Sequence, residues 1–366
     1  VIFMKKKVAF LTIHVGFNFG SVLQSIATNR IFKSLGFSSI LINYIPDRVS
    51  YARYFNKMFS GIIPFVKKTI NLPNFARNNR VYGSYLSKYC TLSSPIYDKD
   101  DFAKKCPIAD FYVTGSDQVW NSKHNEGFND RYYFAQLPEE AVRISFASSI
   151  GETSLSEEHT QRIKKLLSNY KAISVREESA KKLIEGMGLQ ATHLLDPTFM
   201  LKREEWQEYM SQRIVKEEYL LIYTPYNTVD KKAIFDAARA IAKERGLKII
   251  TFSWNWRNDK MADRTIKYAS PGDFLSLMYH ANYVITNSFH GTAFSVNLNK
   301  QFSVFMPSAF STRISSIIEL CGLQNRMVSD NFSIEQSREL IDYTTVNGIL
   351  DVERVKSIEF LKQAFA

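Results

Sequence analysis

The residues best suited to chemistry are grouped in short polar strings that follow apolar, β-branched segments. The richest string is Gly115-Ser116-Asp117-Gln118-Val119-Trp120-Asn121, which offers a hydroxyl, a carboxylate, side-chain amides and an indole within seven residues. Asp117 and Gln118 can bind sugar hydroxyls, Trp120 can stack on the apolar face of a pyranose, and Asp117 can act as a general base. The alternative interpretation is a helix N-cap formed by Ser116 or Asp117.

A second string, Asn287-Ser288-Phe289-His290-Gly291-Thr292, lies between an apolar segment and a run of small residues. His290 can serve as a general acid near neutral pH. Ser288 and the backbone N–H groups of Gly291 and Thr292 can bind a phosphate at the start of a helix. A lone histidine is more often a structural residue, which remains the alternative.

Three weaker candidate sites also lie where an apolar segment ends or a helix begins. Asn18, Gly20 and Gln24 accompany a glycine turn before a helix, where N–H groups suit an anion or a sugar hydroxyl, although a plain tight turn has the same pattern. Arg176 ends an apolar segment and Arg313 begins a helix, and a guanidinium can bind a carboxylate or phosphate through two parallel bonds. Pairing of Arg176 with a neighbouring glutamate, and a surface position for Arg313, are the alternatives.

The elements that must position these strings alternate between strand and helix patterns. One series runs over residues 1–205 and a second over 206–366, with the last helix predicted to pack back on the first domain. Because ligands of open α/β sheets bind at the carboxyl ends of parallel strands, we expect a cleft between two α/β domains. The first series is interrupted at 48–105, which we interpret as an insertion of short helices and loops broken by Pro64 and Pro73.

Composition excludes several classes of protein. The 366 residues carry a formal charge of +11 and three cysteines without a paired pattern, so neither a disulfide framework nor a zinc site is expected, and a reducing compartment fits best. No apolar run reaches the roughly 18 residues of a membrane-spanning helix. The dinucleotide-binding, P-loop, esterase and zinc-protease motifs do not occur, nor does a nucleic-acid-binding motif.

These strings, in this order, resemble those of the polysaccharide pyruvyl transferase family. The resemblance covers residues 8–325, and its most specific pieces are Gly115–Asn121 and Ser288-Phe289-His290-Gly291-Thr292. It implies two Rossmann-like domains in a GT-B-like arrangement, with the acceptor on the N-terminal side and the donor on the C-terminal side. It also implies transfer of a pyruvyl group from phosphoenolpyruvate to two hydroxyls of a sugar, giving a cyclic ketal, without a metal or further cofactor.

The resemblance assigns roles to individual residues. His290 matches a histidine of the donor site, and Arg176 matches an arginine proposed to bind the donor. Some members have an arginine two residues before the histidine, where this chain has Ser288, and Arg313 is our candidate for the missing charge. Asp117 is the candidate base for the acceptor hydroxyl.

The insertion at 48–105 holds eleven Lys or Arg against three Asp, a net charge of +8, together with eleven aromatic residues. Such a surface suits an anionic membrane or a lipid-linked sugar acceptor, which would place the protein at the inner face of the cytoplasmic membrane. The alternative interpretation of the insertion is a solvent-exposed cap that packs around a small core of its own. A GT-B glycosyltransferase using a nucleotide sugar, and a catalytically silent sugar-binding protein, are the rival functions.

Overall fold

A computed structural model describes residues 5–226, 229–307, 311–328 and 332–366. The chain divides into two compact units. Unit 1 comprises Val1–Met200 and Lys356–Ala366, and unit 2 comprises Leu201–Val355. Unit 1 is therefore discontinuous in sequence, because the end of the last helix belongs to it.

Unit 1 is built on a five-stranded parallel sheet with two small two-stranded sheets beside it. Its strands are β1 (Lys7–Leu11), β2 (Ser38–Leu41), β3 (Tyr44–Ile45), β4 (Ile96–Tyr97), β5 (Phe111–Thr114), β6 (Arg143–Ser145), β7 (Tyr170–Ala172), β8 (Ser174–Val175) and β9 (Thr192–His193). Its helices are α1 (Phe19–Ser34), α2 (Tyr51–Met58), α3 (Ile62–Tyr89), α4 (Phe102–Lys105), α5 (Glu157–Leu167) and α6 (Glu178–Gly186).

The main sheet of unit 1 has the order β2-β1-β5-β6-β7. Strand β1 pairs with β2 and β5, and Phe10 lies opposite Leu41 on one side and Val113 on the other. Val8 to Leu11 are fully buried, as expected for a parallel strand covered on both faces. From β1 the chain passes through α1 to β2 on one side, whereas β5, β6 and β7 lie on the other side of β1. The topological switch point therefore lies between β1 and β5.

Unit 2 contains a six-stranded parallel sheet. Its strands are β10 (Tyr219–Tyr223), β11 (Lys248–Ser253), β12 (Arg264–Lys267), β13 (Tyr283–Thr286), β14 (Gln301–Phe305) and β15 (Met327–Val328). Its helices are α7 (Lys231–Arg245), α8 (Pro271–His280), α9 (Phe289–Asn297), α10 (Ser311–Leu320), α11 (Ile334–Arg338) and most of α12 (Tyr343–Phe365).

The order β12-β11-β10-β13-β14-β15 is that of a Rossmann fold, with the switch point between β10 and β13. Local signals fix the helix ends: Asp230 caps the start of α7, and Gly246 ends it in the left-handed conformation. The prediction of an α/β protein with two Rossmann-like domains is confirmed.

The inserted segment differs from its prediction as short helices and loops. Residues 62–89 form one 28-residue helix, α3, which continues through both prolines. Pro64 falls in the first turn, where a backbone N–H has no helical partner, and is therefore tolerated. Pro73 lies inside the helix. Aromatic packing compensates for the disruption of the helix at Pro73, since Phe75 stacks on Tyr54 of α2 with ring centroids 4.1 Å apart.

No helix among the described residues is both long and apolar enough to cross a bilayer.

Candidate functional site

Most of the predicted site residues lie at the two switch points, one in each unit, whereas Arg176 follows β8 and Arg313 lies in α10. In unit 1 the start of α1 meets the loop after β5. Thr12 Oγ1 donates to the Ser116 carbonyl over 2.6 Å, and Gln24 Nε2 donates to Thr12 Oγ1 over 2.8 Å. Ser116 and Gln24 are fully buried, whereas Asn18 is partly exposed and caps α1 by accepting from Ser21 N. Gln24 therefore holds the turn, which includes the buried Gly20, in place.

Asp117 lies at the centre of this arrangement in a strained conformation. Its φ of 70° is in the left-handed region, which non-glycine residues rarely adopt outside turns and functional sites. One carboxylate oxygen accepts from Ser21 Oγ at 2.6 Å, and the other accepts from Gln118 N at 2.8 Å and Arg176 Nη2 at 3.3 Å. Both oxygens of the carboxylate are therefore occupied by donors, one of them an arginine. This geometry favours a positioning role over the predicted role as general base.

Arg176 is enclosed by carboxylates. Its side chain is fully buried, with Nη1 2.8 Å from Asp196 Oδ2, Nη2 3.3 Å from Asp117 Oδ1 and Nε 3.8 Å from Glu177 Oε2. Burial alone would lower the pKa of Arg176, but attraction by Asp117, Asp196 and Glu177 outweighs it and the pKa is raised. An anionic donor brought to this guanidinium would meet three carboxylates. This geometry favours a structural role for Arg176, and its role as donor ligand stays a prediction.

Asp196 and Glu177 are part of this network and were not predicted as site residues. Asp196 also accepts from Ser116 Oγ at 2.8 Å and from the N–H and hydroxyl of Thr198. Glu177 Oε1 accepts from Ser149 Oγ and from the N–H groups of Ile150 and Gly151, each at 2.9 Å. The available signal was position: Asp196 directly follows an apolar strand segment, and Glu177 comes one residue after such a segment.

Trp120 has a different role from the one predicted. The indole is 3% exposed, stacks on Tyr133 with centroids 5.3 Å apart, and donates to the Tyr132 carbonyl. No face is left for a pyranose, so Trp120 is a core residue. Gln118 and Asn121 are also buried and hydrogen-bond to each other over 2.8 Å, which shapes the loop after β5.

In unit 2 the second string forms the junction of β10, β13 and α9. Thr286 Oγ1 donates to the Tyr223 carbonyl over 2.7 Å and accepts from Ser288 N. Ser288 caps α9 by accepting from Gly291 N. A Cβ at Gly291 would lie 2.1 Å from Thr286 Oγ1 and 3.0 Å from Tyr223 Cδ1. Glycine is thus required for α9 to begin this close to the two strands.

Burial raises the pKa of Tyr223 above its ordinary value, and a hydrogen bond between the Tyr223 and Ser288 side chains opposes this shift. The phenol is therefore a hydrogen-bonding group and not an acid at neutral pH.

His290 occupies the first turn of α9 and is 5% exposed. Asn287 Nδ2 donates to the Tyr226 carbonyl over 2.7 Å, while its Oδ1 accepts no hydrogen bond from the described residues. Thr292 Oγ1 donates to the Ser288 carbonyl over 3.0 Å, so this hydroxyl belongs to the helix. The start of α9 carries the partial positive charge of a helix N-terminus.

Arg313 of α10 lies beside the same helix start. Its guanidinium carbon is 5.7 Å from the ring centroid of Phe289, the residue before His290, and its side chain is 3% exposed. Arg313 and the imidazole of His290 thus both lie beside the Phe289 ring at the start of α9, the imidazole with its centroid 5.2 Å away. Such a combination can bind an anion and supply a proton to it. The donor-binding roles of these residues stay predictions.

Solved structures similar to this chain share its fold at low sequence identity. Arabidopsis thaliana UGT89C1 bound to UDP-L-rhamnose aligns with a TM-score of 0.53 and 9% identity, over 98% of both chains. A putative UDP-N-acetylglucosamine 2-epimerase from Listeria monocytogenes has a TM-score of 0.52 and 11% identity, over 99% of this chain and 91% of the other. A further UDP-N-acetylglucosamine 2-epimerase has a TM-score of 0.55 and 9% identity, over 97% and 91%.

These neighbours have the GT-B fold, and at such identity the likeness concerns the fold alone. No curated protein matches the sequence significantly. The family model described as polysaccharide pyruvyl transferase matches residues 18–308, which is more than half of the chain and includes both polar strings. The chain belongs to the polysaccharide pyruvyl transferase family.

Proposed function

We propose that this protein transfers a pyruvyl group from phosphoenolpyruvate to two hydroxyls of one sugar, forming a cyclic ketal during synthesis of a surface polysaccharide. The observation that carries the proposal is the family match over residues 18–308. The arrangement around α9 supports the donor chemistry, because His290 and Arg313 both adjoin Phe289 at a helix N-terminus. Phosphoenolpyruvate carries a carboxylate and a phosphate and needs such positive surroundings.

In the proposed reaction His290 gives a proton to carbon 3 of the enol phosphate, leaving an oxocarbenium-like centre at carbon 2. One sugar hydroxyl adds to carbon 2 and loses its proton, and inorganic phosphate leaves. The second hydroxyl then adds to the same carbon and loses its proton, closing the ketal. The products are one ketal and one phosphate. Arg313 and the N–H groups at the start of α9 stabilise the departing phosphate electrostatically.

In this proposal the buried network of unit 1 positions loops and takes no part in proton transfer. Arg176, Asp117 and Asp196 fix the loops that follow β5 and β8, next to the partly exposed Asn18. We assign acceptor binding to this end of unit 1, with the acceptor being a glycan, free or lipid-linked. A base for the hydroxyls is then a water or the departing phosphate, since Asp117 is held at both oxygens.

The direct test incubates the protein with phosphoenolpyruvate and a panel of glycosides and measures the pyruvyl mass increment and the phosphate released. His290→Gln should lower the rate by about 10²–10⁴-fold, the usual contribution of a positioned acid. His280→Gln, outside the site but also in unit 2, should retain the rate. Ketal formation by His290→Gln at the wild-type rate would remove the imidazole from the mechanism.

The rival function is a glycosyltransferase that uses a nucleotide sugar, which the GT-B fold of the neighbours supports in part. The same panel with nucleotide sugars separates the two, because that reaction releases a nucleoside diphosphate. Release of nucleoside diphosphate without a pyruvyl increment would overturn our proposal. A silent sugar-binding protein would give neither product, and its glycan binding would be insensitive to His290→Gln.

A further inference from the structure

Exposed apolar side chains are concentrated on the α2–α3 hairpin. Of the fourteen large apolar residues exposed in the described part of the chain, eight lie between positions 51 and 70. They are Tyr51, Phe55, Phe59, Ile62, Ile63, Phe65, Val66 and Ile70. A contiguous exposed apolar surface of this kind marks an interaction site more often than chance. We call Phe59, Ile62, Ile63, Val66 and Ile70 the apolar tip.

The α3 residues of the apolar tip lie on the exposed side of the hairpin, whereas Phe59 also contacts Phe65, with ring centroids 6.0 Å apart. At about 100° per residue, Ile62, Val66 and Ile70 fall within roughly 80° of one another on α3, with Ile63 next to them. They are 85%, 50%, 62% and 67% exposed in that order. The opposite side makes the internal contacts: Tyr54 is buried, and its hydroxyl donates to the Lys68 carbonyl over 2.7 Å.

The charge of this segment has one sign. From Arg48 to Tyr97 the sequence contains eight Lys or Arg and no Asp or Glu. Lys57 and Lys67 are exposed directly beside the apolar tip, and Arg77 and Arg80 are exposed further along α3. Lysine and arginine stems next to an apolar stripe can lie along it while their charged ends reach phosphate groups.

We propose that the apolar tip is a docking device for an anionic lipid bilayer. Its side chains enter the headgroup region, and the flanking cations bind lipid phosphates, as basic amphipathic helices do. A second copy of this chain fits less well, because pairing two such hairpins would bring together basic segments that contain no acid. The proposal does not depend on pyruvyl transfer, since docking needs neither donor nor glycan.

The test is flotation of the full chain with vesicles of phosphatidylcholine alone or mixed with phosphatidylglycerol. We expect at least about tenfold more protein on the anionic vesicles, and weaker binding at high salt, because the cations supply the long-range attraction. Lys57→Gln together with Lys67→Gln should reduce anionic binding several-fold. Equal binding to both vesicle types would overturn the proposal.

The apolar contribution is tested by the combined variant Ile62→Asn, Val66→Asn and Ile70→Asn, which leaves the charge unchanged. Its matched control, Leu340→Asn with Val352→Asn and Val355→Asn, changes residues that are 74%, 67% and 57% exposed elsewhere. The tip variant should lose most binding and the control should keep it, both with wild-type circular dichroism. Equal loss in both, or a dimer in light scattering that only the tip variant abolishes, would contradict bilayer docking.

Discussion

Arg176 is the shared cationic partner of three carboxylates that burial would otherwise penalise. Asp117, Asp196 and Glu177 each gain backbone or hydroxyl donors in addition to the guanidinium. A buried ion cluster of this kind adds little stability compared with an apolar core, but removing one partner leaves charges uncompensated. The cluster connects the loops that follow three strands.

Arg176→Met should therefore destabilise unit 1 by roughly 3–5 kcal/mol, the typical cost of breaking a buried ion pair. Arg239→Met is the control, because its partner Asp236 lies on the surface and both side chains are about half exposed. Urea denaturation measures both. If Arg176→Met kept wild-type stability and only weakened phosphoenolpyruvate use, the predicted role of Arg176 as donor ligand would be supported instead.

His14 gives a second prediction at this scale. Burial lowers the pKa of His14 from 6.5, although hydrogen bonds to Thr12 and Asn43 oppose the shift. The stability that depends on a neutral imidazole is therefore present above pH 6.5 and lost as the pH falls towards the lowered folded-state pKa. The free energy of unfolding of wild type relative to His14→Gln should decrease between about pH 8 and pH 5.5. Parallel pH profiles for the two proteins would refute it.

The sequence located the polar strings but not the direction in which each side chain points. Trp120 and Asn18 stand in equally polar strings, yet one is a core residue and the other is partly exposed. Arg176 shows the same limit: Glu177 is its neighbour in the sequence, but Asp117 and Asp196 come from separate segments that only the folded sheet brings together. The spacing of residues along the chain does not predict contacts between segments that are distant in sequence.

Among the elements, the start of α9 has a position that is fixed by close contact with two strands. Thr286 connects β13 to β10 through the Tyr223 carbonyl, and α9 begins against both strands. Periodicity and caps were enough to predict this strand, loop and helix. They were not enough for α3, where the two prolines suggested breaks that tertiary packing of Phe75 and Tyr82 overrides. The edge strands β12 and β15 also lacked a distinctive pattern.

Gly291→Ala should cost about 1–3 kcal/mol in stability, the usual penalty of overpacking, since its Cβ would be 2.1 Å from Thr286 Oγ1. Transfer activity should fall with it, because α9 must shift and His290 with it. Gly348→Ala in α12 is the control: its Cβ would meet nothing within 4 Å. That variant should be neutral or more stable by about 0.5–1 kcal/mol. Equal behaviour of the two glycines would show that the close approach is unimportant.

At the scale of the whole molecule, each unit is a parallel sheet with its own switch point, and the alternating patterns were sufficient to predict two such domains. The pattern near the end of the chain predicts a helix that packs back on the first domain. The end of α12 does belong to unit 1. Phe365 contacts Phe32, Phe37 and Phe111 of unit 1, with ring centroids 5.7, 4.5 and 5.0 Å away.

Phe365→Ala should therefore destabilise unit 1 by about 3–5 kcal/mol, the cost of removing a buried ring. Hydrogen exchange should quicken in peptides from β1 and α1 and stay unchanged in β10 and β13, because Phe365 is 5% exposed and its ring contacts lie in unit 1. Phe59→Ala is the matched control, since that ring is 68% exposed and its loss should cost under about 0.5 kcal/mol. Faster exchange confined to unit 2 would mean that the last helix stabilises the other half of the chain.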